Sequence, residues 1–148
     1  MINNHRFNTP KHTRKFKHSL KRDCLPIEKE CETMKKDAQT LLEEYRQGIE
    51  RLSESLPDTI QEYNRFTGKA FEKGEVDRPH KHLMALAISL KEGDEASITY
   101  HMDQCIAMEC TDQQIYETMA VAAGYGGGSA MSQSVITGME VLDQLKNR

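Results

Sequence analysis

The stretch His82-Leu-Met-Ala-Leu-Ala-Ile-Ser-Leu90 decides the fold, because it is apolar on nearly every side of a helix. A helix of that kind is buried in a protein interior. Asp77 and Pro79 stand before it as an N-cap and a first-turn proline, and Gly93 follows as a C-terminal stop. The sequence therefore predicts a buried central helix between Asp77 and Gly93.

The residues before this helix predict two more helices. Apolar residues recur at three- and four-residue steps from Ile27 to Leu56, which predicts a long amphipathic helix that Pro57 ends. Such steps could also form a seam between subunits. A second helix is predicted over 58–71. Its inward residues are expected to be Ile60, Tyr63, Phe66 and Phe71.

Three further helices are predicted after Gly93. The first covers about 96–108, and the second opens with the capping box Thr111-Asp-Gln-Gln114. Gly126-Gly127-Gly128 is expected to break the chain before a last helix. The face that this last helix buries is expected to carry Met131, Val135, Met139, Leu142 and Leu145.

No segment alternates with period two for long enough to be a strand, so the predicted fold class is all-α, with about six helices and no sheet. A chain of 148 residues argues for one domain. We expect that domain to be helical and to span 27–148, after a basic arm at 1–26.

The charge is divided unevenly along the chain. Residues 1–22 carry seven Lys or Arg and no acid, although the net charge of the whole chain is −3. The arm could touch nucleic acid, an anionic membrane or a neighbouring subunit, but the favoured interpretation is a solvated tail. With no apolar run of 18 residues and no signal-peptide pattern, we expect a cytoplasmic protein with no membrane or nucleic-acid partner.

Candidate site residues cluster on the fourth predicted helix. Asp94, Ser97, His101 and Cys105 follow at steps of three, four and four, which places them on one stripe. His82 opens the central helix. These residues could instead have a purely structural role. A histidine on an apolar face is commonly a hydrogen-bonded core residue, and Asp94 is a plausible N-cap.

Several chemistries remain possible at this stripe. Asp94 and His101 lie about 10 Å apart along a helix axis, which excludes a Ser-His-Asp triad within one helix. Contacts of His101 with Ser97 or with Cys105 remain possible, and the latter could lower a thiol pKa. A metal held by His82, His101 and Asp94 would require the two helices to pack side by side. We expect no bound cofactor.

Residues from about 78 to 133 resemble the carboxymuconolactone decarboxylase family, which includes the alkylhydroperoxidase D-like proteins. The resemblance lies in His82–Gly93, in Ile98-Thr-Tyr-His101 and in Thr111–Gly128. It implies an all-helical fold that assembles into trimers or hexamers. In peroxidase-like members a glutamate opens the apolar helix, a CxxC pair follows the glycine, and a histidine lies four residues after the second cysteine.

This chain departs from that redox pattern. The resemblance places His82 at the glutamate, Asp94 and Ser97 at the two cysteines, and leaves His101 as the matching residue. A hydroxyl cannot form a reducible disulfide, so dithiol peroxidase chemistry is not expected. Four cysteines are present without a CxxC pair, and Cys105 alone would have to carry any residual peroxidase activity.

Two functions of different class follow. In the first, His82 and His101 act as general base and acid on a small carboxylated substrate, with Asp94 and Ser97 positioning it, as in a decarboxylase-like enzyme. In the second, the protein is a catalytically inactive oligomeric scaffold or binding protein. Imidazoles that converge on an open pocket favour the enzyme, whereas rings sealed in the core and bonded to backbone favour the scaffold.

Overall fold

The computed structural model describes residues 36–148, which lie within one compact unit, Met34–Arg148. In this range the chain forms six α-helices and no strand, so the all-α prediction is confirmed. The helices are α1 (Ala38–Ser55), α2 (Pro57–Ala70), α3 (Arg78–Glu92), α4 (Glu95–Ala107), α5 (Asp112–Ser132) and α6 (Met139–Lys146). A π-helical segment, Gln133–Gly138, joins α5 to α6. The predictions for the basic arm and for the chain from Ile27 to residue 35 lie outside the described residues.

The predicted signals at the ends of α3, α4 and α5 are confirmed. The Asp77 carboxylate accepts a hydrogen bond from the His80 backbone N–H at 3.0 Å, and Gly93 ends α3 with a φ of 74°. Asp94 caps α4 by accepting from the Ser97 N–H, and Thr111 forms the capping box of α5. These caps fix the short turn between α3 and α4, which sets the two helices side by side.

The core forms where α3 packs between α4 and α5. Its fully buried apolar side chains are Leu86, Leu90, Ile98, Met102, Ile115 and Leu142. The prediction that α3 is buried nearly all round is wrong for part of its surface, since Met84 and Ile88 are 55% and 63% exposed. The described helices cover α3 on the α4 and α5 sides and leave these two side chains uncovered.

Two predicted inward faces also differ from the structure. On α2, Ile60 is buried, but Tyr63 and Phe66 are exposed, because α2 packs mainly against α1. Near the C-terminus Met131 and Val135 are exposed, whereas Leu142 and Leu145 are buried as predicted. The π-helical segment contains Val135 and separates Met131 from Leu142, and its wider turn shifts the register of the apolar face.

The predicted chain break at the three glycines is a kink inside α5. Gly127 alone is non-helical, with φ 70° and ψ −154°, and helix continues on both sides of it. A positive φ with that ψ is accessible to glycine and not to other residues without strain. Among the described helices, none is long and apolar enough to cross a bilayer.

Candidate functional site

A cavity of about 570 Å³ lies among the first four helices and receives both predicted histidines. Helices α1 and α2 form one side of it, and α3 and α4 supply the histidines from the other. The residues lining it are Tyr45, Arg46, Ile49, Glu50, Tyr63, Asn64, Thr67, Gly68, Phe71, Arg78, His82, Ala96, Ser97, Tyr100 and His101. Its volume falls in the range of small-molecule sites.

His82 and His101 are in direct contact in this cavity. Their Nδ1 atoms lie 3.1 Å apart, so one ring nitrogen donates a hydrogen bond to the other. His82 is only 2% exposed, and its Nε2 atom is buried with no hydrogen-bond partner among the described residues. His101 is partly exposed. The pair therefore has one buried member and one that is open to the cavity.

Aromatic rings surround the imidazole pair. Phe71, the residue that ends α2, lies 4.5 Å from the His82 ring and 5.5 Å from the His101 ring, measured between centroids. Tyr100 meets His101 edge-on at 5.1 Å. These rings exclude water from one side of the pair and hold both imidazoles in place.

Burial keeps both histidines neutral at neutral pH. It lowers the pKa of His101 to about 4, with a further contribution from His82 and an opposing one from Asp94. Burial also lowers the pKa of His82, assisted by the positive charge of Arg78. Desolvation penalises the charged form of an imidazole, and a neighbouring cation does the same. Two neutral imidazoles in contact can accept one proton between them.

Asp94 and Ser97 lie beside the pair in different positions. Ser97 lines the cavity, and its hydroxyl donates a hydrogen bond of 2.6 Å to the Asp94 carboxylate. That bond and those from the α4 backbone lower the pKa of Asp94, although partial burial opposes them. Asp94 does not itself line the cavity. It therefore acts on the site by holding Ser97 and the first turn of α4.

Cys105 lies on the same helix but is completely buried. Burial raises the pKa of its thiol to about 12, and Cys110 adds to the effect. The sequence left open that a contact with His101 lowers the pKa of the Cys105 thiol. That interpretation is wrong, because burial of the thiol raises its pKa instead. A thiol with such a pKa is protonated at neutral pH and is a poor nucleophile.

The alternative of a metal site finds no support in the arrangement of side chains. In residues 36–148, no group of three or more His, Cys, Asp or Glu side chains is placed to hold an ion. The two His82 and His101 nitrogens that would share a metal are hydrogen-bonded to each other, and Asp94 is engaged with Ser97.

Sequence reasoning missed four residues that shape the site. Arg78 stands four residues before His82, a spacing that places both on one face of α3 and could have been noticed. Tyr100 is the neighbour of His101 within the quoted motif. Phe71 and Arg46 carried no comparable signal, because only the packing of α1 and α2 brings Phe71 to the histidines and Arg46 to the cavity wall.

Comparison with known proteins agrees with this fold. The family model described as the carboxymuconolactone decarboxylase family matches residues 57–136, which is more than half of the chain. The chain belongs to the carboxymuconolactone decarboxylase family. The matched residues contain α2 to α5, and with them both histidines and most of the cavity.

Relatives of this family member include two solved structures. One is the apo form of a carboxymuconolactone decarboxylase family protein from Legionella pneumophila, with a TM-score of 0.67, 17% identity, and coverage of 74% of this chain and 95% of that one. The other is a family protein from Thermotoga maritima, with a TM-score of 0.65, 21% identity, and coverage of 73% and 91%. At this identity they establish the shared fold.

A curated relative is similarly distant. An uncharacterized protein from Cupriavidus necator is 24% identical over 95 residues, which cover 64% of this chain and 84% of that protein.

Proposed function

We propose that this carboxymuconolactone decarboxylase family member is an enzyme that acts on a small carboxylated substrate by acid/base chemistry at the His82–His101 pair. The single observation that carries the proposal is the contact of 3.1 Å between the two Nδ1 atoms at the wall of the cavity. Two coupled imidazoles with lowered pKa values in a cleft are a common arrangement for proton transfer.

The protonation state of the pair suggests the order of events. Both rings are neutral in the free protein, so the pair first takes up one proton from water when the substrate anion binds. His101 is open to the cavity and is the residue that contacts the substrate. The bond between the substrate carbon and its carboxylate then breaks, carbon dioxide leaves, and the electron pair left on that carbon takes the proton that His101 and His82 share through the Nδ1–Nδ1 hydrogen bond. Ser97, held by Asp94, positions the substrate.

The carboxylate of the substrate would favour this chemistry. Arg46 and Arg78 line the cavity, so an anion entering it is attracted to their charges. Once bound, the anion offsets the effect of Arg78 on His82 and stabilises an imidazolium. Substrate binding thus raises the affinity of the pair for the proton that replaces the departing carbon dioxide.

The alternative of an inactive scaffold requires the histidines to be sealed in the core and bonded to backbone. Instead, both rings line a cavity and their hydrogen bond joins one ring to the other. The residual peroxidase alternative requires a reactive Cys105, and that thiol is buried with a raised pKa.

The test is a screen of small carboxylic acids and carboxylated lactones for release of carbon dioxide. We expect His101→Gln to lower kcat by about 100-fold or more, the usual contribution of a general acid or base. His80→Gln is the matched control, because His80 is exposed and outside this cavity. Turnover that is unchanged in His101→Gln would contradict the proposal.

We also propose that the protein is a cytoplasmic homo-oligomer, a trimer or hexamer as the family resemblance implies. Large apolar side chains are exposed along α3, α5 and the π-helical segment. They include Met84, Ile88, Val121, Tyr125, Met131, Val135 and Ile136. Exposed apolar surface of this extent is typical of protein interaction sites.

A further inference from the structure

We propose that Lys81 is a positioning residue for the histidine pair, and that it acts by holding Phe71, at the end of α2, against both imidazoles. Lys81 directly precedes His82 in the chain, but it does not line the cavity. Its effect on the histidines is a property of the folded protein, whereas its effect on turnover rests on the proposed function.

Lys81 connects α3 to the end of α2 through two hydrogen bonds. Its ammonium group donates to the backbone carbonyl oxygen of Ala70 at 2.8 Å and to that of Glu72 at 2.7 Å. These two carbonyl groups flank Phe71, the residue that ends α2. One half-buried side chain of α3 therefore holds the backbone of Phe71 on both sides.

The end of α2 gains a partner that a helix terminus needs. The last carbonyl groups of an α-helix have no donor within the helix, and the helix dipole favours a cation beside them. Ala70 is the last helical residue of α2. Lys81 lies near the start of α3, where a positive charge does not favour its own helix. Its position is therefore explained by the end of α2.

Phe71 is the contact between the end of α2 and the histidines. Its ring centroid lies 4.5 Å from that of His82 and 5.5 Å from that of His101. Because α2 packs mainly against α1, the contacts at its end decide how closely it approaches α3 and α4. The bonds of Lys81 therefore set the distance between the Phe71 ring and both imidazoles.

The position of Phe71 affects the protonation of the pair. Burial is the largest cause of the lowered pKa of His82 and of His101. Without the Lys81 bonds the Phe71 ring is free to move away, and water reaches the imidazoles from the α2 side. Water stabilises the charged form of an imidazole, so the pKa of each histidine rises toward its ordinary value.

The charge of Lys81 does not explain such a change. Charge effects on the two pKa values come from Arg78, Asp94 and the neighbouring imidazole. The other charged side chains of the cavity wall are Arg46 and Glu50 of α1, and the tyrosines that α1, α2 and α4 add are neutral. All of these groups are unchanged in Lys81→Met.

The experiment follows the imidazole C–H signals of the full chain by NMR from about pH 8 to about pH 4. The signal of His101 is the one that is missing from His101→Gln. We expect Lys81→Met to raise the pKa of His101 from about 4 toward 6.5, because the ring becomes more exposed to water. Lys81→Arg keeps the charge and the donors and should keep the low pKa.

Lys69→Met is the matched control. It also removes a lysine from the end of α2, but the Lys69 ammonium bonds to the Glu72 carboxylate and to no backbone carbonyl. We expect it to leave the pKa of His101 unchanged. Thermal unfolding of each variant establishes that it is folded before the titrations are compared.

A double variant tests whether Lys81 acts through Phe71. Phe71→Leu alone should raise the pKa of His101, because the smaller side chain covers less of the imidazole. Adding Lys81→Met to Phe71→Leu should give no further rise, since effects that pass through one contact are not additive. Independent effects on stability alone would leave the pKa of His101 at its wild-type value in all three variants.

The outcomes separate this inference from the proposed function. An unchanged His101 pKa in Lys81→Met, an equal rise in Lys69→Met, or additive effects in the double variant would overturn the inference. With a carboxylate that the wild type turns over, the pH profile of kcat/KM should shift in Lys81→Met in the same direction as the histidine pKa. A protein that turns over no carboxylate would refute the acid/base proposal, and the titrations would still decide the role of Lys81.

Discussion

His101 is the residue whose chemistry is changed most by its position in the fold. Its pKa of about 4 means that the folded protein resists protonating it, whereas an unfolded chain would protonate it near 6.5. At pH values above 6.5 the histidine is neutral in both states, and the folded protein keeps its full stability. As the pH falls from 6.5 to about 4, the unfolded chain binds a proton that the folded protein does not, so the free energy of unfolding decreases.

The first prediction concerns this pH dependence. We expect the free energy of unfolding to fall by about 1–2 kcal/mol between these two limits, because the folded state lowers the pKa of His101 and solvent at this partly exposed ring weakens the effect. Urea unfolding at pH 7.5 and pH 5.5 measures the part of this loss that precedes carboxylate titration. His101→Gln should flatten the difference, and His80→Gln should preserve it. A wild-type stability that is independent of pH in this range would contradict the buried, neutral pair.

Single residues also show how far a sequence can predict a site. His82 and His101 were found because helical spacing and a family resemblance both selected them, and the contact of their Nδ1 atoms agrees with packing of α3 beside α4. Arg46 and Phe71 belong to helices whose docking depends on long-range packing. No local pattern of charge or periodicity marks such residues as part of the cavity that holds the histidines.

At the scale of elements, the helix ends were predictable because local chemistry sets them. Asp77, Gly93, Asp94 and Thr111 act within one turn of their own position. Helix faces were harder. Met131 and Val135 are exposed because the π-helical segment, which contains Val135, shifts the register of the apolar face before α6, whereas a periodicity of three and four residues assumes an uninterrupted α-helix.

The second prediction compares two glycines in different elements. Gly93→Ala should destabilise the protein by about 1–2 kcal/mol, because residue 93 has a φ of 74° that disfavours a Cβ atom. Gly48→Ala should stabilise it by about 0.5–1 kcal/mol, because residue 48 lies inside α1 and a Cβ there meets nothing within 4 Å.

Chemical denaturation of both variants in parallel measures these two shifts. Both variants add the same methyl group. Opposite changes in the free energy of unfolding would therefore reflect the different backbone conformations of residues 93 and 48. Shifts of equal sign would show that the left-handed turn between α3 and α4 is not maintained in solution.

At the scale of the whole molecule, the exposed apolar surface of α3 and α5 is the feature that the described residues leave uncovered. A groove of about 320 Å³ runs between these helices and is lined by Leu83, Met84, Ala87 and Val121, among others. The proposed oligomer would bury this surface, which explains why a helix with apolar residues on nearly all sides is half-exposed here.

The third prediction follows from that surface. We expect light scattering to give the wild-type protein a mass that is a multiple of 16.9 kDa, and Val121→Glu to reduce it toward the monomer. Val121 is 68% exposed in the single chain. Val76→Glu is the control, because Val76 is exposed between α2 and α3. A wild-type monomer, or a Val121→Glu variant of unchanged mass, would contradict the proposed interface.

Phe71 couples the histidine pair to the way α2 ends. One phenyl ring lies against both imidazoles, so the helix that carries it and the two histidines cannot vary independently of each other. Any substitution that tilts or shortens α2 changes the hydration of His82 and His101 together. Homologues whose second helix ends differently should therefore have histidines of different pKa, even where every cavity-lining residue of α3 and α4 is the same.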